Sequence, residues 1–219
     1  MKNLKSGEFL VKDTDSSKVF IPEEYNEEQK MIAQTIKDFL DAELYPIVDK
    51  LDIGDRELMA QTVRKAGELG LMGIAIPEEF GGFEQNFVTQ MLAAENIGAG
   101  YSFSVAFMAS TGIGTLPIMY YGNEEQRQKY VTKLASGEFI GAYCLTEPTA
   151  GSDANSGKTN AVLSEDCKHY ILNGQKMWIT NAGFADTQVV FAKIGNDRVL
   201  SAFIVERNMT GVVIGPDEH

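Results

Sequence analysis

The run "AYCLTEPTAGSDANSGKT", residues 142–159, decides how this chain divides. It opens with strand-like alternation, passes Pro148, and then consists mainly of Gly, Ser, Thr, Ala and Asp, with Lys158 its only lysine and no histidine. Two readings of the residues stand side by side. Such residues gather wherever a strand ends in a turn. Thr146, Ser152 and the neighbouring amides could equally form a donor-rich nest for anionic or carbonyl oxygens.

Upstream of this run the pattern is helical. In "NEEQKMIAQTIKDFLDAELYPIVDKLD" an apolar face holds Met31, Ile32, Thr35, Ile36, Phe39 and Leu40, and Leu44, Ile47 and Leu51 continue it. Asn26 with Gln29 predicts a capping box, and Pro46 predicts a kink or division. A second helix starts near Asp55 and carries Leu58, Thr62, Val63, Ala66 and Leu69, with Gly70 placed to end it. A third carries Val88, Met91, Leu92 and Glu95. From Tyr101 to Met119 the residues are apolar or small on all faces, which predicts a buried helix interrupted at Gly112, Gly114 and Pro117. "NEEQ" recurs at 123–126 and caps one more helix, running through Leu134.

Downstream the period shortens. "HYILNGQKMWIT" predicts a hairpin around Asn173-Gly174, and "VVFAKIGNDRVLSAFIVER" a second with its turn at Gly195-Asn196-Asp197. The chain therefore reads as α+β: a polar arm over 1–20, a helical bundle over 21–140, and antiparallel β structure over 141–219.

The totals bound the function. Of 219 residues 44% are hydrophobic, enough for a substantial core. A net charge of -12 argues against nucleic acid as a partner. Two cysteines, Cys144 and Cys167, and two histidines, His169 and His219, exclude a zinc cluster or a disulfide framework. "MKNLKSGEFL" lacks a signal-peptide core, and no run approaches the ~18 apolar residues of a transmembrane helix. The expected setting is cytoplasmic and reducing.

"GSDANSGKT" resembles a phosphate-binding P-loop but has five residues between its glycines, and a hairpin follows where that motif needs a helix. Gly112 and Gly114 fail as a dinucleotide fingerprint, because Pro117 occupies the third glycine's place and no strand precedes them. His169 reads as a structural or surface residue and Cys144 as a small buried one. Trp178 reads as a core aromatic of its hairpin, or as one wall of a cofactor pocket.

Three pieces together, "AYCLTEPTAGSDA" (142–154), "YILNGQKMWITNA" (170–182) and "YGNEEQRQKYVTKLASGE" (121–138), resemble the acyl-CoA dehydrogenase family. "KLASGE" and "SAFIVER" lean towards its very-long-chain branch. The resemblance extends from about Tyr25 onwards. It implies a helical N-terminal domain, a β-barrel-like middle domain left incomplete here, and a C-terminal four-helix domain absent from these residues. The assembly it implies is a homodimer or homotetramer around FAD.

In the family, the segment matching Tyr143 to Ser152, Gly151 included, lies along the flavin. Leu145 and Thr146 match positions that bond its pyrimidine side, and Ser152 matches one facing both the pyrophosphate and the bound acyl-CoA. Trp178, Ile179 and Thr180 match the segment against the ring, with Thr180 near N5. The implied reaction converts a fatty acyl-CoA to a trans-2-enoyl-CoA and passes electrons to an electron-transfer flavoprotein. The family's catalytic Glu lies on later helices, so no catalytic residue is expected among these residues. The chain is expected to be an inactive fragment that binds FAD weakly or not at all. An acyl-CoA oxidase on the same fold, or a non-catalytic assembly protein of the very-long-chain branch, is the alternative.

Overall fold

Asn26 starts the first helix as its spacing from Gln29 predicts. Its side chain accepts the Gln29 amide at 2.8 Å, and the Gln29 side chain accepts the Asn26 amide at 3.0 Å. Two orphan donors are thereby satisfied at once. The structure, a computed structural model, describes residues 7–216. Residues 1–6 of the expected arm, and 217–219 with His219, lie outside the described residues. Residues 7–25 carry three short 3-10 turns.

Helix α1 (Glu27–Phe39) runs into a π turn and a 3-10 turn around Pro46 before α2 (Val48–Asp52), the division that the proline predicts. Asp55 caps α3 (Arg56–Glu68), and Gly70, at φ +77°, follows its end. Then come α4 (Phe87–Ile97), α5 (Tyr101–Thr111) and α6 (Leu116–Tyr121). Asn123 and Gln126 repeat the capping box at α7 (Glu124–Gln126), which continues through a π turn into α8 (Thr132–Ser136). A core of Ile36, Phe39, Leu44, Val63, Ile97 and Phe103 joins α1, α3, α4 and α5.

The expected faces of α1 and α3 are buried at Ile36, Phe39, Leu40, Thr62, Val63 and Ala66, with exceptions at single positions. Met31 and Leu69 are exposed, while Gln29, Met59 and Ala60 are buried. On α4 the buried stripe is Thr89, Leu92, Ala93 and Ile97, and Val88 and Met91 face outward. The helix expected to be buried is also half open, since Tyr101, Val105 and Met108 of α5 are exposed. Apolar residues on every side leave the period without a phase, so only packing fixes which side is inner.

Against the expectation of no sufficiently apolar stretch, Phe87–Tyr121 is long and apolar enough to cross a membrane by length and composition. In the fold it is divided into helices of 11, 11 and 6 residues, each shorter than the ~20 that a span needs.

Among the described residues five strands follow: β1 (Gly141–Cys144), β2 (Asn160–Leu163), β3 (Tyr170–Asn173), β4 (Thr187–Ile194) and β5 (Ser201–Glu206). β4 pairs with β1 in parallel and with β5 antiparallel; at its far end it pairs with β2, again in parallel. The sheet is thus mixed, not antiparallel as expected. Periodicity sees adjacent runs, whereas parallel partners lie far apart in sequence. The β4–β5 hairpin turns at Gly195 as predicted. The hairpin expected at Asn173-Gly174 is not formed; β3 instead pairs back onto β2 across the Ser164–His169 turn. Gly174 answers to another demand, because a Cβ there would lie 2.4 Å from the Thr159 hydroxyl.

The sheet is fastened to the helices in three ways. Val189 packs with Ile76, Phe80, Ile118, Val131 and Leu134 in a second core. Arg64 of α3 donates to the carbonyls of Gly137 and Glu138 and to Asp186 (2.9 Å), and Asp186 accepts the Ile140 amide at 2.8 Å. Gly141 lies so close to Gly114 that a Cβ on Gly114 would fall 2.9 Å from the Gly141 carbonyl carbon. The other sheet face opens onto a cavity of ≈ 470 Å³ lined by Cys144, Leu172, Ile179, Gln188, Val190 and Val205, among others.

Candidate functional site

The segments 143–152 and 176–182 leave the sheet on either side of β2 and β3, and the fold brings parts of them together. The Met177 amide donates to the Thr146 carbonyl at 3.0 Å. Lys176 Nζ donates to the Leu145 carbonyl at 3.0 Å and to Glu147 Oε1 at 2.7 Å. Glu147 is 5% exposed, and its carboxylate also accepts the amides of Lys158 (2.5 Å) and Thr159 (3.0 Å). Burial pushes the Glu147 carboxyl up, but Lys176 and these donors outweigh it and hold the group at about 2. Glu147 is therefore a structural anion at neutral pH, locked into three donor contacts and unsuited to carry a proton.

Neither Glu147 nor Lys176 is among the sequence-predicted site residues. The available signal was an acid and a base, each set among apolar and small residues in the two decisive stretches.

The predicted residues take different places. Leu145 and Thr146 are half-buried beside the cross-tie, Leu145 through its carbonyl bond to Lys176 and Thr146 through Met177. Tyr143 turns inward, its ring 4.8 Å from that of Phe191 against the second core, so its side chain has a packing role. Gly151 and Ser152 lie on an exposed turn beyond the Glu147–Ala150 bridge, and nothing stands within 4 Å of a Cβ on Gly151. No hydrogen bond of the described residues connects that turn to 176–180.

Ile179 is half-buried at the cavity and Thr180 is exposed. The hydroxyls of Thr146, Ser152 and Thr180 make no hydrogen bond among the described residues, which leaves them available to a ligand. Trp178 is 71% exposed at φ +56°, so it is not the core aromatic of a hairpin. A bulky residue in that conformation is strained, and strain of this kind gathers at binding sites.

Three further observations complete the picture. Cys144 is buried, and burial pushes its thiol up to about 12, which makes it a packing residue. His169 is exposed at the β2–β3 turn. The run after Gly151 leads through a 3-10 turn into β2, not into the helix that a P-loop requires.

Helices fastened to a mixed sheet carry two cross-tied segments that hold a neutralised anion, an exposed aromatic at positive φ and three unpaired hydroxyls. Residues 26–138 match the acyl-CoA dehydrogenase N-terminal domain and residues 142–219 the acyl-CoA dehydrogenase middle domain. The chain belongs to the acyl-CoA dehydrogenase family.

It is 46% identical over 214 residues to a probable acyl-CoA dehydrogenase of Bacillus subtilis, covering 98% of this chain and 36% of that protein. It resembles the crystal structure of the Bacillus anthracis acyl-CoA dehydrogenase complexed with FAD at a TM-score of 0.92 and 45% identity, covering 97% of this chain and 37% of that one. A chain in the structure of the electron transferring flavoprotein of Acidaminococcus fermentans matches at a TM-score of 0.81 and 38% identity, over 91% of this chain and 53% of that one. The chain thus spans between about a third and about half of the relatives it matches.

Proposed function

We propose that the protein carrying this chain is an FAD-dependent acyl-CoA dehydrogenase that converts a fatty acyl-CoA to a trans-2-enoyl-CoA and passes electrons to an electron-transfer flavoprotein. In this reading residues 21–140 are its N-terminal helical domain and 141–219 part of its middle domain. The observation that carries the proposal is the cross-tie between the two segments, through Lys176 and the Met177–Thr146 bond, beside an uncovered Trp178.

The residues present fit FAD. Trp178 would offer a flat face, and Leu145, Thr146, Ile179 and Thr180 of the two cross-tied segments would offer backbone groups and two free hydroxyls. Gly151 and Ser152 offer a turn without side-chain bulk, Ser152 also facing the acyl-CoA. When bound, FAD supplies the acceptor for the hydride leaving the acyl chain. Around it, neutral hydroxyl and amide donors orient and stabilise charge without introducing a competing acid or base. The exposed apolar residues Tyr101, Val105 and Met108 of α5 suit an acyl chain or a further domain or subunit as cover.

Because Lys176 and two amides hold Glu147 well below the usual carboxylate range, it is a poor base for the α-proton of a thioester, and in this reading the base comes from outside these residues. The 219-residue chain alone is therefore expected to turn over no acyl-CoA and to hold FAD weakly. The test is to purify the 219-residue chain and the full product of its gene side by side, then compare flavin absorbance and acyl-CoA-dependent dye reduction. Flavin and turnover in the long form alone support the proposal. Stoichiometric flavin and turnover in the short chain, or neither in the long form, refute it.

A further inference from the structure

We propose that Asn181 is a positioning residue that sets the conformation of Trp178 and Thr180. The inference rests on the reading of those residues as part of the flavin site.

The argument begins with Trp178. At φ +56° its backbone is in a region that bulky residues avoid, and its indole is 71% exposed with no ring partner among the described residues. Such a side chain cannot hold its own backbone in place, so the restraint comes from its flanks. On one side the Met177 amide is bonded to the Thr146 carbonyl. On the other stands Asn181, 6% exposed and itself left-handed at φ +70°.

The Asn181 side chain reaches across the joint between the helices and the sheet. Its Nδ2 donates to the Ala106 carbonyl of α5 at 2.8 Å and to the Gly141 carbonyl of β1 at 3.1 Å. Two carbonyl acceptors fix the orientation of the carboxamide, since the reversed amide would aim an oxygen at both. Its main-chain carbonyl accepts the amides of Phe184 (2.9 Å) and Ala185 (2.7 Å). The Gly141 amide in turn donates to Ser110 Oγ of α5 at 2.9 Å. One side chain next to Thr180 thus ties the segment to both α5 and β1. Asn suits the place twice, because it tolerates the left-handed region and carries the two-hydrogen donor that two carbonyls need.

Trp178 is the only tryptophan, so its near-ultraviolet circular dichroism band reports how firmly this one residue is held. Two variants of the 219-residue chain separate the elements of the lock. Asn181→Gly keeps the left-handed backbone and removes the carboxamide; Asn181→Asp keeps the shape and sets an oxygen against two carbonyls. The expected result is an unchanged helical far-ultraviolet spectrum, with the tryptophan band reduced about twofold or more in both. If one variant loses its helical signal, the other decides. A tryptophan band of wild-type size in a folded variant, or loss of the helical signal in both, overturns the proposal.

Quenching of tryptophan emission by FAD in the full-length wild-type protein, compared with its Trp178→Phe variant, tests the underlying reading independently. Absence of quenching would remove the flavin site while the dichroism still decides whether Asn181 positions Trp178.

Discussion

Replacing Lys176 with Met tests whether the two segments depend on one buried ion pair. The side chains of Lys176 and Glu147 are only 11% and 4% exposed, so the pair is not of the solvent-screened kind. Lys176→Met leaves Glu147 with the Lys158 and Thr159 amides and an uncompensated charge. The carboxyl sits at about 2 in the fold against 4.5 when free, which corresponds to about 3 kcal/mol of stability.

The sign follows from the lowered value. The contribution is fully present above pH 4.5 and is lost as the pH falls towards 2. Urea unfolding followed by far-ultraviolet dichroism should show Lys176→Met destabilised at neutral pH by about 3 kcal/mol, the usual cost of leaving a buried charge without its partner. The gap from wild type should close on acidification, and adding Glu147→Gln should recover part of the loss. A variant within about 0.5 kcal/mol of wild type at neutral pH would refute the reasoning.

Two simpler substitutions probe the scaffold. Asn26→Ala removes the cap of α1 and should cost about 1 kcal/mol, read as a lower thermal midpoint. Gly114→Ala places a methyl 2.9 Å from the Gly141 backbone and should cost about 1–3 kcal/mol. Its chemical denaturation midpoint should fall further than that of Gly151→Ala, where the space is open.

What the residues revealed in advance depended on how local the cause was. Both capping boxes, the division at Pro46 and the Gly195 turn arise within a few residues, and each is present. The Asn173-Gly174 hairpin misled because its turn chemistry is real while its second run is claimed elsewhere. Met177 is bonded to Thr146, and Trp178 at positive φ cannot continue a strand. Parallel pairing of β4 with β1 and β2 left no local mark. At the site, the hydroxyl residues announced themselves by composition. The Glu147–Lys176 pair and the Asn181 tie did not, since each becomes meaningful only when distant segments meet.

The pairing of β1 with β4 also has a consequence for the order of assembly. Gly141 and Thr187 are neighbours in the sheet, yet the chain between them contains β2, β3 and almost every residue of the site. Closing such a loop costs on the order of 3 kcal/mol of chain entropy before any strand contact repays it. The helices precede this loop in the chain and are complete before β4 emerges during synthesis, so the candidate site is the last part to take shape. During synthesis or after thermal stress, a chain with intact helices would still lack the candidate site until β4 docks. Ligand affinity would then report completion of folding more faithfully than helix content does.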